Sequence, residues 1–200
     1  MKIAVVLKAP CMSDTVTESH VIFADGGYKY KKDMSDKTVL AVVGDFDSLG
    51  KAPKNERVVG LEVEKNFTDG ERAVRLAKES GASEIVIYGG FGGKIEHVLG
   101  NIALLKIAKG LGVSAVIKDV KTRMRLISGT ANLKVEKGST LSLIPYGGEC
   151  SFISSKGLYY PLDRLTLTPA DTRGISNVST DEDIEIKIEK GESLVIYQEK

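Results

Sequence analysis

Two hydrophobic patterns divide this chain of 200 residues and limit the folds it can adopt. Up to about residue 120, short continuous apolar runs alternate with segments of helical periodicity. The runs are mostly rich in β-branched residues, as strands buried on both faces should be, and they cover residues 3–7, 21–24, 39–43, 85–88 and 113–117. We therefore predict an N-terminal α/β domain whose parallel sheet is covered on both faces.

Two segments between these runs are predicted to be helices. One covers residues 69–80, where alanine and leucine recur at helical spacing before Gly81, a common C-terminal signal. The other covers residues 96–111 and ends before Gly112 in the same way.

The pattern changes near residue 122, after which the sequence contains only short runs with period-two character. They cover residues 123–127, 133–135, 140–144, 165–168, 184–188 and 194–197. The strict alternation of Ile184-Glu185-Ile186-Lys187-Ile188 indicates a strand with one face toward solvent. We predict a C-terminal antiparallel β-sandwich or barrel, and we place the two domains at residues 1–125 and 126–200.

Charge and composition exclude several classes of function. The net charge of +1, without a block of like charge, favours neither a nucleic-acid partner nor a membrane surface. No apolar run approaches the ~20 residues of a membrane span, and the apolar start is too short for a signal peptide. Cys11 and Cys150 match no metal-ligand spacing, and two cysteines in the chain suggest a reducing, cytoplasmic location; the alternative is a single disulfide between them.

Two acidic clusters follow predicted strands, at the edge where parallel sheets bind ligands. In Ala24-Asp25-Gly26-Gly27, Asp25 could ligate a metal or bond a ribose, or the segment could be a simple Asp-Gly turn. In Gly44-Asp45-Phe46-Asp47-Ser48, the two acids stand two residues apart and would face the same side in an extended backbone. Paired carboxylates suit Mg²⁺, which takes oxygen ligands and shares them with phosphates. The alternative is a solvated loop.

Two further clusters open the predicted helices. In Lys65-Asn66-Phe67-Thr68-Asp69-Gly70-Glu71, Thr68 and Glu71 fit a capping box, and Asp69 suits the helix dipole. Gly89-Gly90-Phe91-Gly92-Gly93-Lys94-Ile95-Glu96-His97 would expose backbone N–H groups at a helix N-terminus, which favours phosphate oxygens. Lys94 adds a positive charge, and we expect His97 to pack or cap rather than act as a base. The loop is neither a Walker A sequence nor Gly-x-Gly-x-x-Gly.

In this order, the four clusters resemble the motifs of the thiamine pyrophosphokinase family. The family pattern continues with Gly-Ile-Ser-Asn, which stands here as Gly174-Ile175-Ser176-Asn177. Gly157-Leu158-Tyr159-Tyr160-Pro161-Leu162 is similar to the family's Gly-Leu-x-Tyr-Pro-Leu. The resemblance extends from about residue 20 to residue 178, and the family's order of an α/β domain before a β domain agrees with the order predicted above.

The resemblance implies an enzyme that transfers pyrophosphate from ATP to thiamine, giving AMP and thiamine diphosphate. It implies that Mg²⁺ is held by the catalytic acids Asp45, Asp47 and Asp69. It implies that the nucleotide is bound in the first domain by Asp25, Gly26, Gly27, Lys65, Gly92, Gly93 and Lys94. Ser176 and Asn177, in residues 126–200, would line a thiamine pocket that in this family forms between two subunits of a homodimer.

Several departures from the family pattern fall within these motifs. Asn66 and Val178 replace acidic residues, Glu96 replaces Asp, Lys94 replaces Arg, and Lys8-Ala9-Pro10 stands where Asn-Gly is usual. Lys94 thereby loses the bidentate fork of an arginine. The residues leave two alternatives open: a related pyrophosphokinase for another heterocyclic alcohol such as a pterin, and a non-catalytic nucleotide- or thiamine-binding protein.

Overall fold

A computed structural model describes residues 1–10, 14–46, 50–60 and 67–199 of the chain. The chain divides into two compact units, Met1–Val120 and Lys121–Lys200, and each is described by itself. The sequence places the domain boundary after residue 125, a few residues beyond this division. Among the described residues, no helix is both long and apolar enough to cross a membrane.

The first unit is built on parallel strands. In sequence order they are β1 (Lys2–Val6), β2 (His20–Ala24), β3 (Thr38–Gly44), β4 (Val58–Gly60), β5 (Glu84–Tyr88) and β6 (Ser114–Asp119). Their order across the sheet is β6-β5-β1-β2-β3-β4, and every pair is parallel. The predicted parallel sheet is confirmed. β4, the short edge strand, was not predicted because three residues carry little periodic signal.

Both predicted helices are confirmed, as α1 (Asp69–Glu79) and α2 (Ile95–Gly110). Thr68 caps α1, since its Oγ1 accepts a hydrogen bond of 3.1 Å from the Glu71 backbone N–H. The Glu71 carboxylate accepts two hydrogen bonds from Arg75, one helical turn later. The capping-box prediction therefore holds for the Thr68 side chain, whereas the Glu71 side chain pairs along the helix.

A 3-10 helix, Asp25–Asp33, follows β2 directly, where the sequence suggested a metal-binding loop or a simple turn. It packs against β2 and β3. Its tyrosines cover one face of the sheet, where they meet a buried cluster that includes Ala4, Val6, Phe23, Val42, Val86 and Tyr88. The alternate residues of the strands, such as Ile3, Val5, Ile85 and Ile87, are fully buried as well and point to the opposite face.

The second unit is a β-sandwich. Its strands are β7 (Thr122–Ile127), β8 (Thr130–Lys134), β9 (Thr140–Pro145), β10 (Cys150–Lys156), β11 (Thr166–Leu167), β12 (Asn177–Val178), β13 (Asp183–Lys190) and β14 (Ser193–Gln198). Within the unit, they form two antiparallel layers, in the orders β12-β9-β14-β7 and β11-β10-β13-β8. One cluster of buried side chains, including Leu141, Phe152, Ile186 and Val195, fills the core. The predicted antiparallel C-terminal domain is confirmed.

One long strand of this sandwich, β10, was not predicted from the sequence. It pairs with β13 through two register shifts, between Ser151 and Phe152 and between Phe152 and Ser154. Such irregularities break the period-two alternation that identifies a strand. Serine-rich composition further weakens the signal, so β10 is defined by its partner strand rather than by its own pattern.

Among the described glycines of the first unit, Gly27 makes the closest approach to another segment of the chain. A Cβ on Gly27 would lie 2.2 Å from the Val6 carbonyl oxygen, so Gly27→Ala forces the backbone apart. We expect the free energy of unfolding to fall by about 1–3 kcal/mol, the usual cost of overpacking. Urea denaturation followed by circular dichroism measures this change.

Gly110→Ala is the matched control, because a Cβ on Gly110 meets no atom within 4 Å. We expect a change within about 0.5 kcal/mol for this exposed helical position. Equal stability of wild type and Gly27→Ala would contradict the close approach.

Candidate functional site

The carboxyl ends of the central strands meet at one edge of the first unit's sheet. Val6 of β1 pairs with Phe23 of β2 and with Tyr88 of β5, and Ala24 pairs with Val43 of β3. The residues that follow these strands are Lys8, Asp25, Asp45 and the glycine loop. In parallel sheets ligands bind at this edge.

A cavity of about 300 Å³ opens at this edge. Among the predicted site residues it brings together Asp25 and Asp69, which are far apart in sequence. Its described lining residues are Leu7, Lys8, Ala24, Asp25, Thr68, Asp69, Gly70, Glu96, His97, Gly100 and Asn101. The wall thus carries three carboxylates, and the start of α1 and the first turn of α2 form part of it.

Asp25 has the most unusual environment in the cavity. Its residue is only 8% exposed, and its Oδ1 atom has no hydrogen-bond partner among the described residues. Its φ of 41° lies in the left-handed region, which is strained for a residue with a side chain. Gly44 lies so close that a Cβ there would be 3.1 Å from the Asp25 Cα. A strained, buried carboxylate with an open acceptor atom is typical of a ligand site.

The Asp45 segment differs from the expected extended backbone. Phe46 has a φ of 64° and is 8% exposed, so the chain turns sharply after Asp45 while the Phe46 ring packs into the core. Phe46 therefore lacks the extended backbone that the period-two argument assumed, and the placement of Asp47 relative to Asp45 stays a prediction. Asp45 is partly buried, while Asp47, Lys65 and Asn66 lie outside the described residues.

The glycine loop has the conformation that its sequence demands. Gly89, Gly92 and Gly93 have φ values of 72°, 83° and 76°, which side-chain-bearing residues rarely adopt. Lys94 is the N-cap of α2 and makes no side-chain capping bond. The first turn of α2 therefore presents N–H groups that favour an anion. Gly92, Gly93 and Lys94 are exposed and do not belong to the cavity's described lining.

The donor set of the cavity fits a hard divalent cation. Asp25 and Asp69 supply carboxylate oxygens, the ligands that Mg²⁺ prefers, and the Asp25 Oδ1 atom is without a hydrogen bond in the described part of the chain. Within residues 1–10, 14–46, 50–60 and 67–199, no group of three or more His, Cys, Asp or Glu side chains is arranged to hold a metal. Asp25 and Asp69 could thus supply only part of a cation site, and Asp47 lies outside the described residues.

In the second unit, Ser176 and Asn177 have different environments. Asn177 is 5% exposed, and its side chain binds the Tyr160 backbone twice: Oδ1 accepts from the N–H at 3.0 Å, and Nδ2 donates to the carbonyl at 2.7 Å. Its Oδ1 also accepts from the Val178 N–H. Ser176 is exposed, with a strained φ of 59°. Asn177 therefore holds a loop, while the Ser176 side chain is accessible.

The loop that Asn177 holds exposes aromatic rings that sequence analysis did not single out as site residues. Tyr159 and Tyr160 are 66% and 61% exposed and form an edge-to-face pair with ring centroids 4.9 Å apart. Asn101 was missed as well; its Nδ2 donates to the Gly90 carbonyl at 3.0 Å and so ties the glycine loop to α2. Lys8 was noted only as a departure. The two tyrosines fall within the Gly157–Leu162 motif, but their exposure, like the Asn101 hydrogen bond, depends on the folded chain and has no local sequence signal.

A larger groove, of about 720 Å³, lies between the 3-10 helix and the edge of the sheet. It is lined by Lys29, Lys31, Lys32 and Lys37 together with Tyr28, Met34, Ser35, Val39 and Glu56. The Glu56 carboxylate accepts a hydrogen bond from Lys31 and raises the pKa of that ammonium. The groove contains none of the predicted site residues, so its size does not make it the functional site.

Solved structures of similar fold include thiamine pyrophosphokinases. The fold matches that of thiamine pyrophosphokinase from Bacillus subtilis with a TM-score of 0.86 and 24% identity, over 100% of this chain and 99% of that one. The protein from Geobacillus thermodenitrificans matches with a TM-score of 0.82 and 22% identity, over 100% and 98%. That from Candida albicans matches with a TM-score of 0.76 and 14% identity, over 100% and 90%.

Curated relatives carry the same name. The chain is 30% identical over 142 residues to thiamine pyrophosphokinase of Bacillus subtilis (strain 168), which covers 67% of this chain and 66% of that protein. It is 23% identical over 182 residues to thiamine pyrophosphokinase 3 of Oryza sativa subsp. japonica, which covers 84% and 66%. The chain thus spans 66% of the length of each of these relatives.

Two family models match consecutive parts of the chain. Residues 15–117 match the thiamin pyrophosphokinase catalytic domain, which corresponds to most of the first unit. Residues 130–192 match the thiamin pyrophosphokinase vitamin B1 binding domain, which falls within the second unit. The order and extent of both matches agree with the α/β and β-sandwich units, and the chain belongs to the thiamine pyrophosphokinase family.

Proposed function

We propose that the protein transfers the β,γ-pyrophosphoryl group of ATP to thiamine, giving thiamine diphosphate and AMP. Family membership supports the reaction. The observation that carries the proposal is the cavity that joins Asp25 and Asp69 beside the N-terminus of α2. Carboxylates for a cation and N–H groups for an anion are the elements that a magnesium–triphosphate complex requires.

The reaction is a displacement at phosphorus. The hydroxyethyl oxygen of thiamine forms a bond to the β-phosphorus of ATP, and the bond from that phosphorus to the oxygen bridging to the α-phosphate breaks. AMP leaves with the bridging oxygen, and the hydroxyl proton is released. Such a transfer depends on alignment and on stabilisation of charge more than on covalent participation by the protein.

The carboxylates at the sheet edge would hold Mg²⁺. Asp25 and Asp69 line the cavity, Asp45 follows the neighbouring strand, and Asp47 is proposed from the sequence alone. Bound Mg²⁺ neutralises phosphate charge and orients the phosphates for in-line displacement. Asp25 is the ligand that we propose most directly, because its Oδ1 has no hydrogen bond within the described residues.

Backbone and lysine groups would bind the phosphates and frame the nucleotide. Gly92, Gly93 and Lys94 precede α2, whose first-turn N–H groups favour phosphate oxygens. Gly26 and Gly27 permit close approach after β2. A Cβ on Gly26 would lie 2.6 Å from the Lys8 side chain, and a Cβ on Gly27 would lie 2.2 Å from the Val6 carbonyl oxygen. Lys65 is retained from the sequence motif as a further nucleotide contact.

We propose that the second unit supplies the thiamine contacts. Ser176 offers an accessible hydroxyl, and Asn177 acts through the loop that it holds. The exposed rings of Tyr159 and Tyr160 could accept the cationic thiazolium against their faces, since aromatic rings attract cations. On this proposal, Asn177 is a positioning residue rather than a direct ligand.

A homodimer is the proposed assembly, as the family resemblance implies. Helix α2 carries exposed apolar side chains at Ile95 and Leu99, which are 76% and 63% exposed and stand one turn apart on the same face. An exposed apolar face on a helix is typical of an interface. We also propose a cytoplasmic location, since the buried, free thiol of Cys150 fits a reducing compartment.

Thiamine-dependent release of AMP tests the proposed reaction, and Asp25→Asn tests the site. We expect the wild type with ATP, Mg²⁺ and thiamine to release AMP, and chelation of Mg²⁺ to abolish the release. Asp25→Asn should lower kcat about 100-fold or more, because it removes a charge needed in the transition state. The substitution should not lower the free energy of unfolding, since it relieves a buried, unbonded carboxylate oxygen.

Asp33→Asn is the control, because Asp33 lies exposed at the far end of the same 3-10 helix. Its activity should match that of wild type. Nucleotide binding without AMP release would favour the non-catalytic alternative, and release with a pterin alcohol but not with thiamine would favour the other acceptor.

Asn177→Ala tests the proposed thiamine side. Loss of the hydrogen bonds to Tyr160 and Val178 should destabilise the fold by about 1–3 kcal/mol, because buried backbone groups lose their partners. The KM for thiamine should rise while the KM for ATP changes little. Steady-state kinetics with each substrate varied in turn measures both. Asn132→Ala, at an exposed position in β8, is the control, and an equal rise in both KM values would contradict the assignment.

Leu99→Glu tests the proposed homodimer. A charge on the apolar face of α2 should convert the dimer to a monomer, because the carboxylate would be buried without a partner. Sedimentation velocity at several protein concentrations measures the mass. Lys109→Gln, on another side of α2, should leave the dimer intact, and a monomeric wild type would sink the proposal.

A further inference from the structure

The Lys8-Ala9-Pro10 segment after β1 is fixed between the two predicted nucleotide motifs. Leu7 continues the pairing of β1, since its N–H donates to the Tyr88 carbonyl at 2.9 Å. Ala9 is 2% exposed, and its carbonyl accepts hydrogen bonds from Lys29 Nζ at 2.7 Å and from the Tyr30 hydroxyl at 2.8 Å. The 3-10 helix therefore holds the backbone on one side of Lys8.

The side chain of Lys8 takes a path that depends on Gly26. A Cβ on Gly26 would lie 2.6 Å from the Lys8 Cδ and 3.0 Å from its Cγ. The aliphatic stem of Lys8 thus passes directly over the second residue of the Asp25-Gly26-Gly27 motif. On the other side, Pro10 lies 3.5–3.6 Å from where Cβ atoms on Gly92 and Gly93 would be. The segment connects both motifs.

The charges around the cavity indicate what the Lys8 side chain could bind. The described lining residues include the carboxylates of Asp25, Asp69 and Glu96, whereas Lys8 is the one lysine or arginine among them. Lys94, which the sequence pattern favoured as the phosphate-binding cation, is not in this lining set. A polyanionic ligand in an acidic cavity needs a positive group in addition to a bound metal ion.

We infer that Lys8 is a phosphate-contacting residue for the triphosphate of the donor nucleotide, a role that rests on the proposed function. The ammonium group of Lys8 binds the β- or γ-phosphate oxygens, and the Gly26 backbone and the Ala9 anchor determine its position. Lys8, which follows β1, thus supplies a positive charge to the cavity, whereas Lys94 does not line it.

Three variants isolate the charge of Lys8 from its packing. Lys8→Met keeps an aliphatic stem beside Gly26 and removes the charge, Lys8→Gln is a second neutral variant, and Lys8→Arg keeps a cation. Lys32→Met is the control, because Lys32 is an exposed lysine that belongs to the separate groove on the 3-10 helix. Thermal unfolding of each variant establishes that it is folded before binding is measured.

Titration calorimetry with Mg²⁺ and α,β-methylene ATP, and separately with AMP, measures the inferred contact. Lys8→Met and Lys8→Gln should weaken binding of the triphosphate analogue by about 10- to 100-fold, as expected for loss of a charged hydrogen bond. Both should weaken AMP binding by less than about 3-fold, and Lys8→Arg should restore analogue binding to within about 3-fold of wild type. Lys32→Met should match wild type for both ligands.

The inference and the proposed function fail in different ways. Equal loss for the analogue and for AMP, or no loss for the analogue, would overturn the role of Lys8. A wild type that binds the analogue without thiamine-dependent AMP release would overturn the proposed acceptor, while the titrations would still decide the role of Lys8. A wild type that does not bind the analogue would overturn both.

Discussion

The close contact between Gly27 and the end of β1 is the constraint on which the candidate site depends. A Cβ on Gly27 would lie 2.2 Å from the Val6 carbonyl oxygen, so only a residue without a side chain permits the approach. This contact places the start of the 3-10 helix directly against the first strand. Asp25, the first residue of this helix, therefore lies at the carboxyl edge of the sheet, and its backbone φ is in the left-handed region.

The cavity combines one buried carboxylate, Asp25, with two more accessible ones, Asp69 and Glu96. Asp25 is buried with an oxygen that has no hydrogen bond in the described chain, a state that costs free energy until a cation or donor arrives. Asp69 lies in the first turn of α1, where the helix dipole favours a carboxylate. On the proposed function, this arrangement would be preorganised for a charged ligand at the expense of local stability.

Polar residues of the second unit serve structure and function differently. Asn177 is buried and makes its hydrogen bonds to the backbone, so its amide fixes the loop of Tyr159 and Tyr160. Ser176 carries the backbone strain next to it and keeps an accessible side chain. Two neighbouring residues of one motif thus divide into a support and a candidate contact, because only one of them faces inward.

The sequence by itself determined the class of fold, the helices α1 and α2 and the family, because hydrophobic period, helix caps and glycine signals are local. It also identified Asp25, Asp69 and the glycine loop as candidate site residues. The tertiary structure alone decided that Asp25 and Asp69 share a cavity, that Phe46 turns the chain after Asp45, and that Lys8 enters the acidic wall. It also defined β10 through pairing with β13. These features depend on strand register and on backbone contacts between residues far apart in sequence. Such contacts cannot be predicted from a local sequence pattern.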